Sequence, residues 1–346
     1  MRSEKIIVSV VIKALNEEKN IDRTVQSALQ AIVGIGGEVI LADSHSVDRT
    51  VEFASRYPIK IVRLNRPEER CCGIGAQLGY QFSQGRYLYV VDGDMEIAEG
   101  FLETAIQYLE KDKGLAAVGG RIVEKNLESW EFQARVLRTA GKLQSGIVDR
   151  LDGGGVYRRA AIESVGYLTN RNLHSYEEFE LAARLRSHGW KLKRLPVPAA
   201  YHFGHKTEAF ALLMRRWRGG YVLGLGELLR SSMWQPHFKL VVQEIKEYRL
   251  YSVVVLWWLL LLSLVASELS GSGRAAVPLM FAALPLIIMI LKKRSMVKGI
   301  YAVTSWNFYA MGMLRGFFRR QCRPAEKIDA ERVNSCSDVR AELGVE

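Results

Sequence analysis

The sequence predicts an α/β protein, in which a domain built on a mostly parallel sheet is followed by a C-terminal transmembrane helical hairpin. Buried apolar runs alternate with amphipathic helices over residues 1–204, the pattern of parallel strands covered on both faces. Two uncharged apolar runs follow within residues 251–291, with basic residues on their outer flanks. Of the 346 residues, 49% are apolar and 25% charged, which excludes disordered and disulfide-rich classes of protein.

The elements of the first domain follow from apolar periodicity. Continuous apolar or β-branched runs bounded by turn residues predict strands, and apolar residues at helical spacing predict the helices between them. Ligands of such sheets bind beyond the carboxyl ends of the strands, so the residues that end each strand are candidates for a functional site. The predicted elements are strands at 6–12, 38–43, 59–64 and 86–94, with helices over 16–32, 46–57 and 75–84.

Two of these strands end in acidic residues. The fourth stops at Asp92, Gly93 and Asp94, which places hard oxygen ligands beside a glycine small enough for a bulky ligand to approach the backbone. Such a pair suits Mg²⁺ or Mn²⁺ bridging the phosphates of a nucleotide, although Asp and Gly also form turns. Asp43 ends the second strand, where its carboxylate can accept hydrogen bonds from a base or a ribose hydroxyl.

The two apolar runs have the length of membrane spans. Between Arg249 and Glu268 lie 18 uncharged residues, and between Arg274 and Lys292 lie 17, so each helix would reach about 26 Å. Arg and Lys on both outer flanks predict a hairpin with both ends in the cytoplasm. Two core helices of a soluble domain are the alternative reading, but neither run shows a polar face.

The net charge of +11 is concentrated around these runs. Segments 205–250 and 292–323 together carry 16 Lys and Arg against 4 Asp and Glu, whereas residues 1–204 are near neutral. This distribution disfavours a nucleic-acid partner and predicts contact with anionic membrane lipids. The chain shows no signal peptide, and its four cysteines lack CxxC spacing, which fits a catalytic or binding domain in the cytoplasm at the inner membrane.

The domain boundaries follow from these changes in composition. The stretch 299–318 is apolar but precedes a cluster of arginines, so we expect a helix that lies at the interface or re-enters it. The predicted segments are the α/β domain 1–204, juxtamembrane amphipathic helices 205–250, the hairpin 251–291, and a basic interfacial helix with a polar cytoplasmic tail 292–346.

An ordered series of motifs carries a family resemblance. The series is VSVVIKALNEEKNI, EVILADSHSVDRT, GAQLGYQFSQGRYLYVVDGD, GGGVYRRAAIESVGY and YEEFELAARLRSHGWKLKRLP. Taken together over residues 5–204, these motifs resemble the family 2 glycosyltransferases, which are inverting enzymes. The resemblance implies the Rossmann-like GT-A fold and a divalent cation, Mn²⁺ or Mg²⁺.

The resemblance also implies roles for individual residues. Asp92 and Asp94 match the family's DxD motif, in which the first residue lies near the ribose and the pair holds the metal. Lys13 stands where the family commonly has Pro, and Leu15 where it has Tyr, so base recognition departs from the family pattern. The residues that the resemblance places on the donor nucleotide or its sugar are Lys13, Leu15, Glu17, Asp43, Asp92 and Gly154.

The remaining implied residues concern catalysis and the metal. Glu178, preceded by Glu177, falls where the family carries its catalytic base, although the usual residue is Asp. Acids in a first helical turn also act simply as partners of the helix dipole. His202 falls where many members place a metal-binding histidine, and the nearby His205 is the alternative.

We therefore predict an inverting, metal-dependent hexosyltransferase for polysaccharide biosynthesis. It would move one sugar from a UDP- or GDP-sugar donor to a hydroxyl of a lipid-linked or membrane-associated saccharide at the cytoplasmic face. Glu178 would remove the acceptor proton. The alternative acceptor is a polyprenyl phosphate, as in dolichol-phosphate-sugar synthases, which needs no base. A nucleotidyltransferase and a non-catalytic membrane scaffold are less favoured.

Overall fold

The computed structural model describes residues 6–125, 145–204, 208–267 and 276–333. The chain divides into two compact units, one of Met1–Glu208 with Gln321–Glu346 and the other of Ala209–Arg320. In the described residues, the first unit holds the sheet and its covering helices, and the second holds helices.

One sheet organises the first unit. Its strands are β1 Val8–Ala14, β2 Gly37–Asp43, β3 Lys60–Leu64, β4 Tyr87–Asp92, β5 Met95–Ile97, β6 Leu115–Glu124, β7 Gly146–Val148, β8 Gly155–Arg158, β9 Lys191–His202 and β10 Ala330–Val333. The order across the sheet is β10-β3-β2-β1-β4-β8-β6-β9-β5, and β7 also pairs with β9. The predicted α/β class is confirmed.

The sheet is mixed, with a parallel half and a half in which directions alternate. β3, β2, β1 and β4 are parallel to their neighbours, as predicted. β8 then runs antiparallel to β4 and β6, β9 runs parallel to β6, and β5, β7 and β10 pair antiparallel. Parallel neighbours need a crossover, usually a helix. The expectation of a mostly parallel sheet holds for the four strands whose sequence alternates with helices, and the shorter later strands make the sheet mixed.

Helices cover both faces of this sheet. Val10 and Ile12 of β1 pack on one face, while Val11 between them packs on the other, as the alternation of a strand requires. The helices described in this unit are α1 Ile21–Ala31, α2 Thr50–Ala54, α3 Cys72–Phe82, α4 Phe101–Lys111, α5 Arg159–Ser164 and α6 Glu177–Ser187. All of the β1 side chains named are fully buried, so the sheet forms a rigid platform for its carboxyl edge.

The second unit is a group of helices that pack through glycines. They are α7 Ala209–Arg218, α8 Gly224–Ser232, α9 Phe238–Glu244, α10 Glu247–Ser267, α11 Ala276–Lys293 and α12 Met296–Phe318. A Cβ on Gly226 of α8 would lie 1.9 Å from the Met313 carbonyl oxygen of α12, so only a glycine permits this close approach. Beside it, the buried Glu227 pairs with Arg319 at 2.9 Å.

In the described part of the chain, one helix is long and apolar enough to cross a membrane, α10. Its side chains point largely outward, and Leu256, Leu259 and Leu262 are each more than half exposed. The link 268–275 of the predicted hairpin lies outside the described residues, so the hairpin stays a prediction. The stretch 299–318 lies within the continuous helix α12, and its position relative to a membrane also stays a prediction.

The C-terminal segment differs from the expected polar tail. Ala330–Val333 forms strand β10, which pairs antiparallel with β3 at the edge of the sheet. Ile328 just before it is 1% exposed and belongs to the core on one face of the sheet. Ala330 and Val333 pack against the two faces of the core as well, so the apolar residues of this segment anchor it to the sheet edge.

Candidate active site

Lys13 and Asp92 meet at the carboxyl edge of the parallel strands. The register of β1 and β4 makes them direct partners, and Lys13 Nζ lies 2.8 Å from Asp92 Oδ1. Lys13 Nζ also lies 3.9 Å from Glu177 Oε1. The ammonium thus stands among carboxylates, and Asp92, predicted as donor and metal ligand, is paired with this lysine.

Glu177 and Glu178 begin helix α6 at the same edge. Tyr176, immediately before them, has a φ of 68°, a left-handed conformation that is uncommon for a residue with a side chain. Backbone strain of this kind concentrates at functional sites. The Glu177 side chain is only 14% exposed and faces Lys13, so it does more than complement the helix dipole at a solvated surface.

Two glycine amides hold the Glu178 carboxylate. Gly153 N donates to Oε2 at 3.0 Å and Gly154 N donates to Oε1 at 2.8 Å. Both glycines are left-handed, with φ of 87° and 91°, and a Cβ on Gly154 would lie 2.2 Å from the Val90 carbonyl oxygen. Only glycine fits here without strain, because a side chain would collide with β4. Gly154, predicted to line the sugar pocket, therefore positions the predicted base.

Burial sets the protonation of this cluster. Burial raises the pKa of Glu178 to about 7, against the opposing attraction of Lys13. It also raises the pKa of Glu177, again opposed by Lys13. Burial by itself lowers the pKa of Lys13. The attraction of the carboxylates of Asp92, Glu177 and Glu178 outweighs burial, so the pKa of Lys13 lies well above its usual value. A carboxylate whose pKa lies near 7 is suited to accept a proton at neutral pH.

A second cluster contains Asp94, His202 and Glu124. His202 Nε2 lies 3.1 Å from Asp94 Oδ2, and His202 Nδ1 lies 2.6 Å from Glu124 Oε2. The sheet brings them together, because His202 of β9 is the register partner of Glu124 on β6 and of Met95 on β5. Burial lowers the pKa of His202, but the hydrogen bonds that its ring donates to the Asp94 and Glu124 carboxylates outweigh burial and raise the pKa to about 10.

Asp94 and His202 fit a divalent cation once His202 loses the Nε2 proton that bonds Asp94 here. Their oxygen and nitrogen converge, and Glu124 binds the other ring nitrogen, as carboxylates behind metal-binding histidines do. Among the described residues, no group of three His, Cys, Asp or Glu side chains could hold a metal. Phosphate oxygens and water would complete the coordination of an ion here. His205, the alternative ligand, lies outside the described residues.

The other predicted donor residues lie nearby but differ in exposure. Asp43 is fully buried and accepts from Ser46 N at 3.0 Å, so its carboxylate organises the loop after β2. Leu15 is 41% exposed beyond the end of β1. Glu17 packs against Gly93, since a Cβ there would lie 2.9 Å from Glu17 Cγ. A side chain at position 93 would therefore meet Glu17, and the approach of a ligand to Gly93 stays a prediction.

A small cleft lies at the part of the edge that holds Lys13, Glu177 and Glu178. Its lining combines these charged groups with apolar side chains, which lower the local dielectric around them. Sequence reasoning missed Tyr157, Leu168 and Thr169 in this lining, and it missed Glu124 behind His202. The lining residues are Lys13, Ala76, Val90, Gly154, Tyr157, Leu168, Thr169, Glu177, Glu178 and Leu181.

Comparison with known proteins relates part of the first unit to a known family. Residues 9–166 match the model of the family described as Glycosyl transferase family 2. A dolichol-phosphate mannosyltransferase of Pyrococcus furiosus is 26% identical over 172 residues, 46% of this chain and 48% of that protein. The glycosyltransferase AglD of Haloferax volcanii is 24% identical over 241 residues, 66% of this chain and 37% of that protein. The chain thus spans about half, or less, of the length of these curated relatives.

A solved structure supports the fold. The mannosyltransferase PcManGT of Pyrobaculum calidifontis, solved in complex with GDP-Man and Mn2+, aligns with a TM-score of 0.56 at 17% identity. The alignment covers 91% of this chain and 88% of that one. With the mixed sheet, these matches show that the chain has a GT-A-like α/β fold and that its residues 9–166 are similar to the family 2 glycosyl transferases.

Proposed function

We propose that the protein moves a single sugar from a nucleotide-sugar donor to a hydroxyl of a lipid-linked or membrane-associated saccharide, with inversion at the anomeric carbon. The Glu178 carboxylate carries this proposal, because two backbone amides hold it in place while burial brings its pKa to about 7. A hydroxyl acceptor must lose its proton as it attacks, and a carboxylate with this pKa can take it.

The donor would bind along the carboxyl edge of β1 and β4. Its sugar would lie over Gly153 and Gly154, and its diphosphate would lie near Asp94 and His202. A divalent cation bound there would neutralise charge that develops on the leaving diphosphate. Mn²⁺ and GDP-mannose are the first pair to test, since the structural relative was solved with both. Lys13, held by Asp92, supplies a positive side chain on this edge.

The second candidate acceptor is a polyprenyl phosphate. The dolichol-phosphate mannosyltransferase relative favours it, over the 46% of the chain that aligns. A phosphate acceptor is already anionic and needs no base, so this candidate gives Glu178 no proton to remove. The two candidates therefore differ in the role of one side chain.

The proposed location is the cytoplasmic face of the cell membrane. The apolar helix α10, with most of its side chains exposed, supports an anchor in the second unit. The second apolar run at 275–291 would complete the hairpin, and basic residues on the outer flanks would keep both ends in the cytoplasm.

A donor screen tests the proposal. Purified protein in lipid nanodiscs is incubated with UDP- and GDP-sugars and Mn²⁺ or Mg²⁺, and release of nucleoside diphosphate is measured with and without each acceptor. We expect slow release alone and a large stimulation by a lipid-linked saccharide. Formation of nucleoside triphosphate and sugar 1-phosphate from the sugar nucleotide and added inorganic pyrophosphate would identify a nucleotidyltransferase instead, and binding of no donor would favour a scaffold.

A further inference from the structure

The chain that follows the helices returns to the first unit and touches the active-site loop. We call residues 321–333 the strap and residues 168–176 the catalytic loop, because the latter ends directly before Glu177. Both segments belong to the same compact unit. The strap begins three residues after α12 ends at Phe318.

One side of the strap is fastened to the sheet and the core. Ile328 is buried, and the Gln81 side chain bonds both of its backbone groups, at 2.8 Å to the N–H and at 3.1 Å to the carbonyl oxygen. Asp329 accepts from Asn65 at 2.8 Å and pairs with Arg66 at 3.4 Å. These contacts tie the strap to α3 and to the end of β3.

The other side of the strap holds the catalytic loop through Arg171 and Asn172. Arg171 Nη1 donates to the carbonyl oxygens of Glu326 at 3.0 Å and Lys327 at 3.1 Å, and Nη2 pairs with Glu69. Asn172 Nδ2 donates to the Cys322 carbonyl at 2.9 Å, and Asn172 Oδ1 accepts from Cys322 N at 3.0 Å.

The catalytic loop in turn forms one wall of the cleft. Leu168 and Thr169 line it together with Glu177 and Glu178. The amides of Leu168 and Thr169 bond Gln77 Oε1 at 2.9 and 3.2 Å. The Arg171 side chain is only 6% exposed, so its contacts with the strap carbonyls are protected from water. Charged hydrogen bonds of this kind are stronger than neutral ones.

We propose that Arg171 is a positioning residue, which uses the strap to hold the catalytic loop and so sets the place of Glu178. This inference rests on the proposed function, in which Glu178 is the base. Its consequence is that residues 1–204 do not contain a complete active site, because the strap that holds the loop comes from the far end of the chain. A loop that drifts by about 1 Å is enough to reduce turnover by roughly 10²-fold.

The test compares three variants of the full chain in nanodiscs. Arg171→Ala and the milder Asn172→Ala break loop contacts, whereas the control Asp329→Ala breaks the contacts of the strap with Asn65 and Arg66. We measure turnover number, donor affinity by calorimetry, and amide hydrogen exchange over residues 168–176. For Arg171→Ala we expect about a 10²-fold lower turnover number, an unchanged donor affinity, and faster exchange in the catalytic loop.

Asn172→Ala should show the same changes to a smaller extent, and Asp329→Ala should retain wild-type turnover. The inference is overturned if both loop variants keep wild-type turnover, or if exchange over 168–176 does not change in either. If Asp329→Ala lost as much turnover as Arg171→Ala, the role of Arg171 would be purely structural, and the inference would also be overturned. If the wild-type protein transfers no sugar, the proposed function fails by itself, and unchanged loop exchange would then overturn the inference separately.

Discussion

Replacing Glu178 by glutamine separates the two candidate acceptors. Glutamine keeps the shape of the side chain, and its amide oxygen still accepts from one of the two glycine N–H donors, at Gly153 or Gly154. It cannot accept a proton. With a hydroxyl acceptor, the turnover number should fall by about 10² to 10⁴-fold, the range for loss of general base catalysis. That factor equals roughly 3 to 5 kcal/mol of transition-state stabilisation.

The pH dependence gives a second measure of the same residue. Because the pKa of Glu178 is about 7, roughly one tenth of the carboxyl groups are ionised at pH 6. We therefore expect kcat/KM of the wild-type protein to rise about tenfold per pH unit below 7 and to level above pH 8. In Glu178→Gln this rise should be absent.

Stability should change with pH in the opposite direction. The folded pKa of Glu178 lies above its usual value of 4.5, so the folded state holds the proton more tightly than the unfolded chain. The stabilisation is complete below pH 4.5 and is lost as pH rises through 7. Its size is about 3 kcal/mol at 1.36 kcal/mol per pH unit. The thermal midpoint of the wild-type protein should therefore fall more between pH 5 and pH 8 than that of Glu178→Gln.

The assay is release of nucleoside diphosphate with each acceptor, together with donor affinity by calorimetry. Glu177→Gln is the matched control, since Glu177 lies in the same helical turn and contacts Lys13 at 3.9 Å without the glycine cradle. We expect a smaller loss there, below the roughly 10²-fold that marks the loss of a general base. If Glu178→Gln retained nearly full turnover with a saccharide acceptor, the assignment of Glu178 as base would be wrong. If Glu178→Gln kept full turnover with a polyprenyl phosphate but not with a saccharide, the second acceptor would be favoured.

Three further predictions concern the glycine cradle, the metal and the membrane. Gly154→Ala should destabilise the protein by about 2 kcal/mol or more in thermal unfolding, since its φ is 91° and its Cβ would lie 2.2 Å from the Val90 carbonyl oxygen. Asp94→Ala should reduce Mn²⁺-dependent turnover by about 10²-fold or more, and calorimetry of Mn²⁺ with GDP should lose its binding signal, whereas intact binding would exclude Asp94 as a ligand. Trp234 is 91% exposed, and aromatic side chains of this kind concentrate at membrane interfaces. Trp234→Ser should weaken partitioning into anionic liposomes several-fold in a flotation assay, and equal partitioning would remove Trp234 from the interface.

The periodicity of the sequence determined the fold class and the place of the site. Strands β1 to β4 were predicted because each is a short apolar run and helical patterns lie between them, which is local information. The acids Asp92 and Asp94 were found for the same reason, since an apolar strand that ends in carboxylates places them at the sheet edge. Apolar length and flanking charge likewise predicted the membrane segments, of which α10 is found as a helix that could span.

The tertiary structure decided which of these residues work together. Gly153 and Gly154 bind Glu178 across 25 and 24 residues of sequence, and His202 meets Asp94 across 108. Such contacts depend on strand register, on left-handed glycines and on a mixed sheet that places β9 between β6 and β5. A single sequence records apolar periodicity directly, but pairing between distant strands is a property of the packed chain. The acids were therefore visible in the sequence, while the amides and the histidine that position them were assembled only by folding.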